Sequence, residues 1–262
     1  MRLQPGLTSI IIPTSNGLDL LTSCVESIRK YTDVPYEIIV VDNASTDGTD
    51  AYCISEDIVF ISLPVNEGFP KACNLGMKMA RGDYLLLLNN DVTVTRNWLS
   101  NLLSALNSRT DIGMVGPVTN AASGLQKVEL SFEDLTDFQR IAAENNRSDT
   151  RRWVEVKRII GMCLLLKREV LHRVGFLDEA FSPGHYEDDD LCHRACISGY
   201  TLLICKDVLV HHRGSASFKR SNPEKLQALI DRNFRLFMDK WNFDPRKYIE
   251  ERNSKPKGGE VQ

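Results

Sequence analysis

The chain has 262 residues, of which 42% are hydrophobic and 26% are charged, and its formal net charge is -3. This length and composition predict a globular protein with one large domain, or one domain with an appendage. The slightly negative charge excludes non-specific nucleic-acid binding, which needs a strong basic excess, and no apolar run approaches the roughly 20 residues that span a bilayer.

The amino terminus and the cysteines indicate a cytoplasmic protein. Residues 1–6 lack the apolar core of a signal peptide. The seven cysteines include no Cys-x-x-Cys pair, which predicts free thiols, no structural zinc and a reducing compartment. We therefore expect a cytoplasmic location, with peripheral association at the inner face of the membrane as the alternative.

In chain order, apolar strands alternate with amphipathic helices through the first half of the sequence. The strands are predicted at 9–12, 38–41, 59–61, 85–88 and 114–115, and the helices at 18–30, 71–81 and 98–106. Asn16 is a candidate cap for the first helix. This alternation predicts an α/β fold with a doubly wound, mostly parallel sheet.

The second half of the sequence is less regular. The polar segment from about 119 to 157 predicts a solvated insertion, with a contribution to an acceptor site as the alternative. Strands are predicted at 159–166 and 208–210. The amphipathic helix predicted at 223–241 is expected to dock on the core, with an oligomer contact as the alternative.

The most informative stretch is Leu85–Leu88, which runs directly into Asn89, Asn90 and Asp91. A continuous apolar run predicts a strand buried on both faces, and open α/β sheets bind ligands at the carboxyl ends of such strands. A carboxylate at this position suits a hard divalent cation that carries phosphate oxygens. The alternative is a strand that simply ends in a polar turn.

Two other segments contain candidate nucleotide ligands. Asp42 follows the second strand and can accept a hydrogen bond from a nucleobase, while Asp47 or Thr49 is a candidate helix cap. Lys71 in the first turn of its helix opposes the helix dipole. Phosphate contact and an ordinary surface lysine are the alternatives there.

Acidic residues and a histidine pair mark the second half. Glu187, Asp188, Asp189 and Asp190 open a helix, where their charges favour the dipole. Like charges this close also raise at least one pKa, which suits a general base. His211 and His212 end a strand and face opposite ways, so one can reach a metal while the other packs.

Taken in this order, the segments resemble a family 2 glycosyltransferase of the GT-A fold. The resemblance extends from about Thr8 to Ser217 and rests on motifs at 10–14, 41–48, 66–69, 74–76, 82–91, 175–179 and 187–194. It implies a GT-A domain over 1–220. Within it, a Rossmann-like nucleotide-sugar-binding half is expected at about 8–117 and an acceptor-binding half at about 118–220. A C-terminal helical extension (221–253) and a disordered tail (254–262) are expected to follow.

The resemblance also implies residue roles. Asp188 occupies the general-base position, and Asp91 would bind Mg²⁺ or Mn²⁺ with His212, or alternatively His211, as the second ligand. Asn89 stands where the family carries the first acid of its metal motif. The implied donor-binding residues are Pro13, Thr14, Asn16, Asp42, Asn43, Asn66, Lys71, Asn74, Asn89, Asn90, Gly161 and Met162.

The implied activity is inverting, metal-dependent transfer of a hexose from a nucleotide-diphosphate sugar to an acceptor hydroxyl. A UDP-sugar is the first donor expected and dTDP-rhamnose the second; the acceptor is a glycan, a lipid-linked intermediate or a protein. A catalytically impaired nucleotide-sugar-binding protein is one alternative. A sugar nucleotidyltransferase is disfavoured because residues 13–17 contain no Lys or Arg. A homo-oligomer formed through the C-terminal helix is a further expectation.

Overall fold

The computed structural model of the chain describes residues 3–214 and 222–250. Its strands are β1 (Gln4–Thr14), β2 (Tyr36–Asn43), β3 (Val59–Leu63), β4 (Gly82–Leu88), β5 (Val92–Thr93), β6 (Ile112–Thr119), β7 (Trp153–Val156), β8 (Cys163–Lys167) and β9 (Thr201–His212). Its helices are α1 (Leu18–Tyr31), α2 (Thr49–Ser55), α3 (Phe69–Met79), α4 (Trp98–Asn107), α5 (Leu135–Asn145), α6 (Arg168–Val174), α7 (Glu187–Ile197), α8 (Pro223–Trp241) and α9 (Lys247–Glu250). Short 3-10 turns lie at Gly124–Gln126, Thr150–Arg152 and Glu179–Phe181.

The strands form a mixed sheet in the order β3-β2-β1-β4-β8-β6-β9, and both β5 and β7 pair with β9. Within the described ranges, six strands run in one direction, whereas β5, β7 and β8 run in the other. The predicted mostly parallel sheet is therefore confirmed. Strand β8 interrupts it as an antiparallel strand between β4 and β6.

Burial on both faces of the sheet explains the continuous apolar runs. In β4, Leu86 and Leu88 pack into one core, whereas Leu85 and Leu87 pack into the core on the opposite face. Helices α1 and α4 cover the first face, and α3, α6 and α7 cover the second. Alternate side chains of a strand point to opposite faces, so both must be apolar when helices cover both. The sheet is thus doubly wound, as predicted.

Two predicted elements have the wrong boundaries, and one predicted helix cap is wrong. The helix predicted at 71–81 spans Phe69–Met79, and the strand predicted at 159–166 begins only at Cys163. The side chain of Asn16 does not cap α1. Instead it accepts a hydrogen bond from the backbone N–H of Thr46, while the N–H of Leu18 donates to Asp47 across the loops (2.9 Å each). The cap is supplied from a loop distant in sequence.

The prediction of a solvated insertion over about 119–157 is wrong for much of that segment. Helix α5 buries Phe138 and Ala142 against β6 and β9, and β7 pairs antiparallel with β9. The exposed face of α5 carries Asp137 and Arg140, which form an ion pair. Because only Phe138 and Ala142 of this helix are buried, its apolar stripe is short and gives a weak periodic signal.

The C-terminal helix α8 docks on the core, as expected, and buries Asn233 and Phe237 completely. Expectations that fall on residues 215–221 and 251–262, including the disordered tail, lie outside the described residues. None of the helices in the described ranges is long and apolar enough to cross a bilayer. All seven cysteines are free thiols.

We expect Phe138→Ala to lower the free energy of unfolding by about 3–5 kcal/mol, because it leaves a cavity between α5 and the sheet. Leu135→Ala, on the exposed side of the same helix, should change it by less than about 0.5 kcal/mol. Urea denaturation of both variants checks this. Equal, small effects would mean that α5 is not part of the core.

Candidate active site

A cavity of about 850 Å³ opens at the carboxyl ends of β1, β2 and β4. Its walls come from both halves of the chain. Among the predicted site residues, eleven line it: Pro13, Thr14, Asn43, Asn66, Asn89, Asn90, Asp91, Gly161, Met162, Asp188 and His212. The cavity therefore brings together the polar ends of β1, β2 and β4, the first turn of α7 and the end of β9.

A tight turn fixes Asn89, Asn90 and Asp91 after β4. The N–H of Asn89 donates to the carbonyl of Met162 (2.9 Å), and the side-chain amide of Asn90 donates to the hydroxyl of Thr14 (2.8 Å). These bonds tie the turn to the neighbouring strands on both sides. Asp91 then lies at the entrance to β5 with its side chain buried.

Pairing of β5 with β9 brings Asp91 next to His212. Val92 is the register partner of His212, and the Nε2 atom of His212 lies 3.1 Å from Oδ1 of Asp91. The Nδ1 atom of His212 lies 2.6 Å from the carbonyl oxygen of Ala121. A carbonyl only accepts, so Nδ1 carries the proton and donates, and Nε2 is the ring nitrogen that faces Asp91.

His211 takes the opposite face of β9, away from the cavity lining. It packs edge-on against Phe132 and Phe138, with ring centroids at 5.6 and 5.0 Å. Burial lowers the pKa of His211 below its usual value, which favours the neutral ring. His211 therefore packs in the core, whereas His212 lines the cavity.

Asp188 faces the cavity from the first turn of α7. Its Oδ2 accepts the N–H of Gly161 (2.8 Å) and its Oδ1 accepts the N–H of Asp189 (2.9 Å). Both bonds orient the carboxylate towards the open space without neutralising it by a salt bridge. The same bond to Gly161 connects the acidic helix to the turn that precedes β8.

The other three acids of this turn have different surroundings. Asp189 is buried against the guanidinium of Arg158 (2.5 Å), and burial raises its pKa to about 6. Asp190 accepts hydrogen bonds from Arg194 and Trp241 (2.8 Å each). Burial, and next the charge of Asp188, raise the pKa of Glu187 well above its usual range. The predicted crowding effect thus acts on Glu187 and Asp189.

Amides and one glycine shape the other side of the cavity. The side chain of Asn43 accepts the N–H of Glu67 (2.8 Å), and that of Asn66 accepts the N–H of Gly68 (3.0 Å). Gly68 has φ +88°, and a Cβ atom there would lie 2.8 Å from Cα of Pro183. Glycine is therefore required where the loop before α3 touches the segment before α7.

Five of the predicted site residues, including His211, lie outside the cavity lining. Asp42 is buried and accepts the N–H of Ser45 (3.0 Å). Lys71 pairs with Glu67 at 2.9 Å. The amide of Asn74 donates to the carbonyl of Leu177 and to Glu179 (2.9 Å each), so it links α3 to the 176–181 segment. Asn16 contacts Thr46, as described above.

Several lining residues were not predicted from the sequence. Arg158 belongs to none of the motifs named above, yet it pairs with Asp189 at the cavity wall. Ile230, Pro245 and Arg246 reach the cavity from α8 and the segment after it. These three residues belong to no sequence motif, because only the tertiary fold brings them to the cavity.

Arg158→Met should lower the free energy of unfolding by about 3 kcal/mol, because it leaves the carboxylate of Asp189 buried without its cation. Adding Asp189→Asn should restore at least half of the loss, since the buried charge is then gone. Urea denaturation at pH 7 measures both. Arg151→Met, which removes an exposed ion pair to Asp149, is the matched control and should cost less than about 1 kcal/mol. A double variant no more stable than Arg158→Met would contradict this explanation.

Comparison with known proteins identifies the family. The sequence profile described as Glycosyl transferase family 2 matches residues 9–175, which is more than half of the chain. Glycosyltransferase GlyG of Streptococcus pneumoniae serotype 4 is 25% identical over 226 residues, covering 82% of this chain and 73% of that protein. The chain spans only 27% and 18% of the length of two other curated relatives.

Solved structures share the architecture. The mannosyltransferase PcManGT from Pyrobaculum calidifontis, in complex with GDP-Man and Mn²⁺, superimposes with a TM-score of 0.59 at 22% identity, covering 78% of this chain and 56% of that one. GalNAc-T7 with UDP, GalNAc and Mn²⁺ gives 0.63 at 17% identity, covering 86% and 48%. The match to the profile, together with this fold, shows that the chain belongs to glycosyl transferase family 2 and has the GT-A fold.

Proposed function

We propose that the chain transfers a sugar from a nucleotide-diphosphate donor to an acceptor hydroxyl with inversion at the anomeric carbon, using Asp188 as the general base. One observation carries this proposal: Asp91 and Asp188, far apart in sequence, line the same cavity. The half at about 8–117 would bind the donor, and the half at about 118–220 would bind the acceptor. Relatives named as glycosyltransferases support the reaction class.

The donor would enter along the carboxyl ends of β1, β2 and β4. Pro13, Thr14, Asn43 and Asn66 line that side of the cavity and offer hydroxyl and amide groups to a nucleotide. A UDP-sugar is our first choice and dTDP-rhamnose the second. GalNAc-T7, which has the same fold, was crystallised with UDP, and PcManGT with GDP-Man.

Asp91 and His212 fit a divalent cation, which we propose to be Mg²⁺ or Mn²⁺. The Nδ1–H of His212 donates to a carbonyl, as the second nitrogen of a metal-binding histidine usually does. No cluster of three or more metal-binding side chains occurs in residues 3–214 and 222–250. Oxygens of the donor would therefore complete the coordination, as is usual for Mg²⁺. When bound, the cation would neutralise negative charge on the diphosphate.

The proposed reaction is a single displacement. The Asp188 carboxylate, oriented by the N–H groups of Gly161 and Asp189, accepts the proton of the acceptor hydroxyl. The hydroxyl oxygen forms a bond to the anomeric carbon as the bond from that carbon to the β-phosphate oxygen breaks. The electron pair leaves with the nucleoside diphosphate. Attack from the face opposite the leaving group inverts the configuration.

The two alternative functions would release different products. A nucleotidyltransferase would release pyrophosphate from a nucleoside triphosphate and a sugar phosphate. An impaired binding protein would bind the donor without releasing nucleoside diphosphate. The open carboxylate of Asp188 favours transfer over both. Acceptor identity, a cytoplasmic location and an oligomer through the C-terminal helix stay predictions.

Asp188→Asn should reduce turnover at least about 100-fold, because the amide cannot accept the acceptor proton. Turnover is measured as nucleoside diphosphate released from a panel of UDP-, dTDP- and GDP-sugars with Mn²⁺ and a mixture of glycan acceptors. Calorimetry should give a donor Kd within about twofold of wild type. Asp50→Asn, on the exposed side of α2, is the control. Full activity of Asp188→Asn would refute the assignment of the base.

The two histidines offer a matched test of the metal site. His212→Ala should raise the Mn²⁺ concentration needed for donor binding at least about tenfold, as should Asp91→Ala. His211→Ala should lower the melting temperature, because it removes packing against Phe138, but should leave the Mn²⁺ dependence unchanged. Equal donor affinity with and without EDTA in the wild type would rule out the metal role.

A further inference from the structure

Helix α8 satisfies the backbone of the segment that leads to the acidic helix. The side-chain amide nitrogen of Asn233 lies 2.7, 2.8 and 3.0 Å from the carbonyl oxygens of Phe181, Gly184 and His185. Arg232 donates to the carbonyls of Ala180 (2.8 Å) and Ser182 (2.9 Å). Two adjacent side chains therefore lie within hydrogen-bond distance of five of the six carbonyls between residues 180 and 185, with the two N–H bonds of Asn233 shared among three of them.

The segment that they bind has an unusual backbone. His185 and Tyr186 have φ of +73° and +72°, although neither is a glycine. This left-handed conformation is unfavourable for residues other than glycine, and it persists only where its surroundings enforce it. Asn233 is fully buried, so its carboxamide is a fixed donor at the first of these two residues.

His185 and Tyr186, the two residues with positive φ, determine where α7 begins. The carbonyl of Tyr186 accepts the N–H of Asp190, the first hydrogen bond of that helix. Asp188 lies in this first turn, and Pro183, Gly184, His185 and Tyr186 line the cavity beside it. A shift of the 180–185 segment would therefore move the carboxylate of Asp188 relative to the cavity.

The C-terminal end of α8 binds the first turn of α7 as well. Lys240 lies 2.7 Å from Oδ1 of Asp190 and 2.6 Å from Oδ2 of Asp178, and the indole N–H of Trp241 donates to Asp190 (2.8 Å). These contacts anchor α7 itself, whereas those of Arg232 and Asn233 anchor the segment that precedes it. The first turn of α7 is thus bound at both ends by one helix.

We propose that Asn233 and Arg232 are positioning residues for transfer: they set the 180–186 backbone and thereby the place of the Asp188 carboxylate in the cavity. This inference rests on the proposed function, because it assumes that Asp188 is the base. It assigns to a helix outside the matched family profile a role in the chemistry of the site. The loop before α3 also binds this segment, because the N–H of Phe69 donates to the carbonyl of Pro183 (2.9 Å), so the proposal concerns the contacts of α8 alone.

The test compares Asn233→Asp and Arg232→Met with wild type. The first variant replaces the donating NH₂ by an acceptor of the same size, and the second removes the two bonds of an exposed side chain without disturbing the core. Gln227→Leu is the matched control, because Gln227 is exposed on α8 and its side chain donates to Asp231 one turn along. Nucleoside diphosphate release is measured with the donor of highest wild-type turnover in the panel above, below the melting temperature of every variant.

We expect kcat to fall at least tenfold in Asn233→Asp and at least threefold in Arg232→Met, with donor KM and calorimetric Kd within twofold of wild type. Gln227→Leu should match wild type. A lower melting temperature with unchanged kcat would overturn the proposal, because the two residues would then be structural only. If Asn233→Asp does not fold, Arg232→Met decides alone. If the proposed function itself is wrong, the result differs: the wild-type protein shows no transfer, or the Asp188→Asn variant stays active.

Discussion

Burial of β4 on both faces is the constraint on which the rest of the structure depends. Helices cover both sides of this strand, and β1 and β8 occupy both of its edges, so its chain can reach water only at its ends. The carboxyl end therefore carries Asn89, Asn90 and Asp91 into the cavity. Because β8 is antiparallel to β4, the start of β8 lies at the same edge, and Leu88 is the register partner of Cys163. Gly161 and Met162 reach the cavity for that reason.

The four acids in the first turn of α7 have different partners, although they carry like charges and are adjacent in sequence. Arg158 compensates Asp189, while Arg194, Lys240 and Trp241 bind Asp190. Burial favours the protonated form of Glu187. Asp188 is the acid whose carboxylate accepts backbone N–H bonds and faces the cavity. Cations in α7, in the segment before β8 and in α8 therefore compensate two of the four carboxylates that share this helical turn.

Most of the first half of the fold could be predicted because its strands are buried on both faces and read as continuous apolar runs. The eleven predicted residues that line the cavity mostly follow such strands or open α7, where strand ends and helix starts are visible in sequence. Helix α5 was missed because Phe138 and Ala142 form a narrow apolar stripe within a charged segment. The buried position of Asn74 depends on the 176–181 segment, which packs against it from elsewhere in the chain. The contributions of Arg158, Pro245 and Arg246 depend on tertiary contacts that no local pattern records.

The contact between α8 and the 180–185 segment has a consequence for synthesis on the ribosome. The strands β1, β2 and β4, whose carboxyl ends form the donor side, are all translated by residue 88. The backbone before α7, however, finds its hydrogen-bond donors in Arg232 and Asn233, which are translated about fifty residues later. The starting point of the acidic helix can thus be fixed only after α8 has left the ribosome.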